Sequence, residues 1–280
     1  STATPSLANS FATEIYTGNS GTQAITTGFK PDLIWFKDRG GTYSHSLYNS
    51  ISGRDRFLRS NSTNSESTGA SATQDLVSFD TNGFTLGTDY HTVNNASGRN
   101  YVAWNWKAGG TPSINTDGTI TSIVSANQAA GFSVVKYTGS TGNTSFGTGL
   151  TSEAEFIIFK RYTNAQNWFV FLKINNVWHY IEGLNTTSAA INYSASMSST
   201  STTVNLPSFN EFNQDPNSSY LAYCFTSISG YSKVGSYTGN QSLNTANQIN
   251  FGFTPGFVLI KNTTNSGSQW LCMLTHLQLQ

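Results

Sequence analysis

The sequence predicts an all-β protein of tandem antiparallel β-sandwiches, two full and one partial, and three observations predict it. The first is self-similarity. Tyr16-Thr17-Gly18 returns as Tyr137-Thr138-Gly139 and as Tyr237-Thr238-Gly239, and a recurring block of this kind marks a repeat architecture. The second is a set of short apolar runs between turn residues, DLIWFK, EFIIFK and FVLIK, which read as buried sandwich strands. The third is composition: only 10% of the 280 residues are charged, while 18 Phe, 13 Tyr and 6 Trp supply apolar burial. Asn, Ser, Thr and Gly fill the remaining space and suit turns between aromatic strands. No amphipathic helix longer than about two turns is legible.

Each element follows in order along the repeat. Gly28-Phe29-Lys30-Pro31 precedes LIWFK in the first copy and Gly252-Phe253-Thr254-Pro255 precedes VLIK in the third; the second has Thr151-Ser152-Glu153 there. All three runs close on a lysine: Lys37, Lys160 and Lys261. Asn82-Gly83, between two alternating segments in LVSFDTNGFTLG, is a strong hairpin signal. A second anchor, GRNYVAWNW, matches NSSYLAYCF in the second copy. In it Tyr101, Ala103 and Asn105 alternate with Val102, Trp104 and Trp106, so one face is expected on the core. Residues 190–204 read as strand plus loop.

The units are then residues 1–108, a first sandwich of jelly-roll or related topology; 109–130, a linker with a short hairpin around Asp117-Gly118; 131–229, a second sandwich; and 230–280, a partial third repeat. The third copy lacks the second anchor, which leaves two readings: another chain completes it, or it is truncated. The first residues, STATPSLANS, show neither an initiator Met nor a signal peptide and read as a processed or truncated start.

Charge excludes several functions. Lys plus Arg and Asp plus Glu are both 14, so no basic footprint for nucleic acid or an anionic membrane exists. No run reaches the roughly 20 apolar residues of a membrane helix, so no membrane insertion is expected. Cys224 and Cys272 lie in apolar runs, without a C-x-x-C, and read as buried small side chains. His45, His91, His179 and His276 have no metal-ligand spacing. The carboxylates Glu153, Glu155, Asp75 and Asp80 form no visible pair for glycoside hydrolysis. Asp80-Thr81-Asn82-Gly83 and Asp117-Gly118 could supply calcium ligands, yet turn chemistry explains them more simply. No enzyme, cofactor or metal is expected.

Two surfaces are candidates for binding. The loops TDYHTVNNASGRN and KRYTNAQNW combine aromatics with amide and guanidinium groups, the pairing that stacks on sugar faces and bonds hydroxyls. Their candidate glycan-binding residues are Tyr90, Asn95, Arg99, Tyr162, Asn167 and Trp168; the alternative is that the aromatics cap the sandwich. The one charge-dense stretch, ISGRDRFLRS, places Arg54, Arg56 and Arg59 as a candidate protein-docking cluster, or as a self-paired loop in solvent.

The combination YTGN, GFKPDLIWFKDR, SFDTNGFTLG and GRNYVAWNWKAGG, followed by INTDGTITSIVSANQAAGFSVVKYTG, resembles a repeated domain of virion structural proteins of tailed phages, marine ones especially. The resemblance runs from about Phe11 to Trp270 and implies concanavalin-like sandwiches in a tail-fibre or head-fibre protein. It implies the virion surface as location and other virion proteins of the capsid or tail as partners. A homo-oligomer is expected, with a trimer by analogy to fibres, and host-surface glycan as a further ligand. The resemblance carries no catalytic residues. The other function class is a lectin or adhesin whose main role is glycan recognition.

Overall fold

The computed structural model describes residues 7–193, 196–209, 212–213, 215–240 and 247–274; His276 lies outside them. A 3-10 turn at Leu7–Asn9 leads into the strands of the first repeat. These are β1 (Phe11–Thr17), β2 (Gln23–Thr26), β3 (Leu33–Asp38), β4 (Ser46–Asn49), β5 (Phe57–Leu58), β6 (Leu76–Asp80), β7 (Gly83–Leu86) and β8 (Asn100–Trp106). There follow β9 (Ser113–Asn115), β10 (Ser122–Asn127), β11 (Phe132–Thr138), β12 (Thr144–Gly147), β13 (Phe156–Arg161), β14 (Trp168–Ile174), β15 (Val177–Glu182), β16 (Ile191–Asn192), β17 (Ser198–Ser199), β18 (Thr203–Leu206) and β19 (Ser219–Phe225). The third repeat holds β20 (Phe257–Ile260) and β21 (Leu271–Leu274).

All pairings between these strands are antiparallel. The first repeat forms a five-stranded sheet, β1-β8-β3-β4-β5, and a three-stranded sheet, β2-β7-β6. Between them lie Tyr16, Ile34, Phe36 and Tyr101 from one sheet and Leu76, Phe84 and Leu86 from the other. The second repeat matches this with an eight-stranded sheet, β16-β15-β14-β13-β19-β11-β10-β9, and a three-stranded one, β12-β18-β17. The hairpin β20-β21 stands for the third.

The recurrence of Tyr-Thr-Gly has a local cause. Each copy ends a strand that pairs with the second anchor: Tyr16 lies opposite Tyr101 and Tyr137 opposite Tyr220. The rings stack at 5.5 and 5.4 Å. The hydroxyls donate to the carbonyls of Asn94 (2.7 Å) and Phe212 (2.5 Å), so a buried polar tip is satisfied in both. The glycine that follows must be glycine because backbone crosses over it. A Cβ on Gly18 would strike the Ala96 carbonyl, and one on Gly139 the carbonyls of Asp215 and Asn213. In the third copy Tyr237 is exposed, and no counterpart of β8 or β19 is present for it among the described residues.

Two expectations change. Residues 113–127 do not link: β9 and β10 form the hairpin expected around Asp117-Gly118, but β10 pairs along β11 and extends the second sheet. And β8 buries both faces. Tyr101 and Ala103 face the first repeat's inner core, whereas Val102, Trp104 and Trp106 enter a second core shared between repeats. From the second repeat this core receives Phe132, Val134, Ile158, Trp168, Val170, Leu221 and Tyr223. Phe257 of the third repeat packs at 5.2 Å from Trp104, 5.3 Å from Trp106 and 6.2 Å from Trp35, the first two edge-on. Such pairs add roughly 0.5–1.5 kcal/mol each beyond area burial. The sandwiches expected in series are packed around one centre.

The joints between repeats follow one hydrogen-bond pattern, used twice. Between the first and second, Glu66 N donates to Tyr162 O (2.9 Å), Gln166 N to Thr63 O (2.8 Å) and the Trp168 indole to Arg59 O (2.9 Å). Between the second and third, Ala190 N donates to Thr263 O, Gly267 N to Thr187 O and the Trp270 indole to Gly183 O, each at 2.9 Å.

Trp104→Ala is expected to cost about 3–5 kcal/mol, because it empties a site that two neighbouring repeats also line. Denaturant titration followed by fluorescence and circular dichroism checks it: the midpoint should fall with both probes together, and a loss under about 1 kcal/mol would show that the core does not couple the repeats.

Candidate functional site

The loop between β7 and β8 is pinned from within, which leaves its tip to solvent. Asp89 Oδ1 accepts from the amides of Val93 (2.9 Å), Asn94 (3.1 Å) and Asn95 (3.2 Å). The Asn95 side chain donates to the carbonyls of Gly21 (2.8 Å) and Gly87 (2.6 Å). Asp75 is fully buried and accepts from the amides of Tyr90 and His91, and its other oxygen meets His91 Nδ1 at 2.5 Å. Tyr90 is left 57% exposed, edge-on to the His91 ring at 4.6 Å. A second exposed group stands at the β3–β4 loop. The Arg99 guanidinium lies 3.8 Å over the Tyr43 ring, donates to its hydroxyl at 2.6 Å and reaches Asp38 at 3.7 Å. These two patches present ring faces beside charged and polar groups, the chemistry of a sugar-stacking surface.

The other expected glycan residues are placed differently. Trp168 has no exposed surface; it opens β14 inside the shared core and spends its indole N–H on Arg59 O. It therefore cannot stack on a sugar. Tyr162 is buried in the same core with the Lys136 ammonium 4.9 Å from its ring. Asn167 bonds Glu182 (2.7 Å) and Asn185 (2.8 Å). Asn95 is also buried, so among the six named residues Tyr90 and Arg99 remain as surface groups with a ring face or a guanidinium to offer.

The arginine cluster is internally engaged. Arg54 donates to Ser71 O (2.8 Å), and Arg56 pairs with Glu66 at 3.4 Å. Arg59 donates to Ser67 Oγ (2.8 Å) with its guanidinium over Phe57 at 4.7 Å. Of the three, Arg56 is the exposed one. Its loop already serves the joint with the second repeat.

Buried ionisable groups are found where strands end. Lys160 is 0% exposed, donates to the carbonyls of Thr63 and Gln166, and is pushed down to about 8 by desolvation. Its counterparts repeat the motif, Lys37 donating to Gly41 O (2.8 Å) and Lys261 to Ser268 O (2.5 Å). Burial and the neighbouring Lys37 push His45 down to about 4. Burial raises the Cys224 and Cys272 thiols to about 12, which keeps both protonated. Among the described residues no three His, Cys, Asp or Glu side chains gather to hold a metal. A cleft of about 530 Å³ at the seam of the first two repeats is lined by Leu7, Asn9, Lys107 and Gln128, away from both aromatic patches.

A family match extends over residues 6–276, nearly the whole chain. The chain belongs to the family described as Domain of unknown function (DUF7483). No curated protein and no solved structure matches it. The DUF7483 match covers all three repeats as one block, in keeping with the core they share. Reasoning from sequence missed Tyr43 and the Asp75–His91 pair, for which no local signal exists. It also missed the burial of Lys160, for which the lysine closing each copy was the available signal.

Stability should report the Lys160 burial. A free lysine titrates near 10.4, so between about pH 8 and pH 10 the Lys160 site holds more protons in the unfolded chain than in the folded one and adds stability as pH rises, while the raised Cys224 and Cys272 thiols act in the opposite sense. Urea midpoints near pH 7.5 and pH 9.5 should therefore shift more favourably in the wild type than in Lys160→Met; the same shift in both proteins would sink the idea.

Proposed function

We propose that this chain is a non-enzymatic structural protein of a tailed-phage particle, a fibre or decoration on the head or tail surface, and that its repeats are tandem jelly-roll, concanavalin-like sandwiches. The carrying observation is the shared aromatic core. Trp35, Trp104, Trp106, Trp168 and Phe257, drawn from three repeats, are used to join the repeats to one another. Aromatic investment of that kind makes a stiff projecting body, and the balanced, sparse charge keeps its surface free of strong fields. The sequence resemblance to virion structural proteins points the same way. Its partners are then capsid or tail proteins, with a homo-oligomer, a trimer by analogy, as the assembled form.

A second reading, glycan recognition, is favoured by one observation: Tyr90 at 57% exposure and Tyr43 at 42% hold ring faces in solvent beside His91 and Arg99. In the structural reading this surface aids attachment to the host; in the lectin reading it is the main task.

Electron cryo-microscopy of purified particles tests the first reading, which expects this chain in stoichiometric copies on capsid or tail and fails if it is found only free or cell-attached. Glycan-array binding tests the second: Tyr90→Ala or Arg99→Ala should weaken a detected glycan on the order of tenfold, about 1.4 kcal/mol, with the fold intact. Binding that survives both changes removes these two patches as the site.

A further inference from the structure

Each joint has a donor arm and an accepting loop. The donor arms are Tyr162–Trp168 and Thr263–Trp270, offering one carbonyl, one amide and one indole N–H; the accepting loops are Arg59–Glu66 and Gly183–Ala190. Strand register places the first repeat's own donor arm. Phe36 pairs with Ser46, Phe159 with Phe169 and Ile260 with Leu271, so His45 stands where Trp168 and Trp270 stand. Counting from the closing lysines, Arg39 matches Tyr162 and Thr263, and Tyr43 matches Gln166 and Gly267.

This third arm is complete and unused. The Arg39 carbonyl and the Tyr43 amide make no hydrogen bond among the described residues. His45 Nδ1 accepts from the Trp35 indole at 2.8 Å. An indole only donates, so the neutral imidazole carries its proton on Nε2, where it is a donor like the indoles of Trp168 and Trp270. The three units also converge. Phe257 of the third packs on Trp104 and Trp106 of the first, while Trp270 of the third packs 6.4 Å from Phe156 of the second.

We infer that the Arg39–His45 edge of the first repeat is a docking surface for one more accepting loop of this same kind, the joint that closes the three units into a ring. The occupant is defined by its chemistry: a strand-end loop with two carbonyls and an amide spaced as in Arg59, Thr63 and Glu66. A second copy of this chain does not supply it, because both of its accepting loops are engaged internally. The interface is continuous with the two joints already formed and repeats their polarity, donor arm to accepting loop.

The experiment joins a second copy of residues 50–108, which carries that loop, directly behind Leu274 in place of residues 275–280, and follows amide exchange and histidine nitrogen shifts. Tyr43 amide exchange is expected to slow by at least ~10-fold against the unextended chain, towards that of Gln166 and Gly267. The His45 Nε2 resonance should move with it. Unchanged Tyr43 exchange overturns the inference whether or not the added segment orders, since docking is what should order it. Sedimentation of the unextended chain gives the second check. The state of association is expected to be unchanged by Tyr43→Pro, and a concentration-dependent dimer that Tyr43→Pro abolishes would assign the edge to a second copy and overturn it too.

Discussion

The structure depends on one constraint: its long sheets are covered on both faces. A half-buried antiparallel sheet alternates apolar and polar residues, whereas β8 runs Tyr101, Val102, Ala103, Trp104, Asn105 and Trp106 with every one of these side chains buried. Covering the second face needs another unit, and the unit available is the next repeat. At roughly 25 cal/mol per Å² of apolar surface removed from water, the tryptophans that would otherwise face solvent become the strongest reason for the repeats to associate. Asn105 is the polar exception, and it is accommodated by donating to the carbonyls of Ala103 (2.9 Å) and Ala12 (3.3 Å).

The polar groups around this core follow from the same constraint. Where strands end next to a neighbouring repeat, water is displaced and backbone groups must find partners. The closing lysines serve this purpose, each holding a carbonyl of the loop that follows. Lys160 goes furthest, since it also reaches Thr63 O of the neighbouring repeat at 3.0 Å and so is drawn completely inside. A charged group is tolerated there because carbonyl oxygens replace the water it loses, and its depressed titration measures how incomplete that replacement is.

Much of the architecture was legible. The Asn82-Gly83 hairpin between β6 and β7 and the strand at the second anchor follow from turn chemistry and strand alternation. What alternation cannot tell is whether the second face is covered, because period two assigns residues to faces and says nothing of what lies beyond them. The available sign was that both faces of YVAWNW are aromatic. Trp168 was misplaced for a related reason. It follows polar loop residues, so it read as a loop aromatic, yet it opens the FVFLK run just as Trp270 opens LCML. At the candidate surface, the exposure of Tyr90 depends on Asp75 and Asp89 fixing the loop from residues 15 and up to 6 positions away, a long-range and short-range combination that no motif encodes.

The outermost strands have a different consequence. An eight-stranded sheet is a template on which an unrelated strand could add, and its liability lies at its two rims. Here the rims are β9 and β16, of only three and two residues, and the five-stranded sheet ends at β5 with two on one side and at β1 with seven on the other. The three short rims offer an incoming chain almost no ladder, which leaves β1 as the one long rim of these two sheets. Where copies are crowded side by side, backbone pairing between these sheets is therefore confined to β1, and every other rim leaves its contacts to side chains.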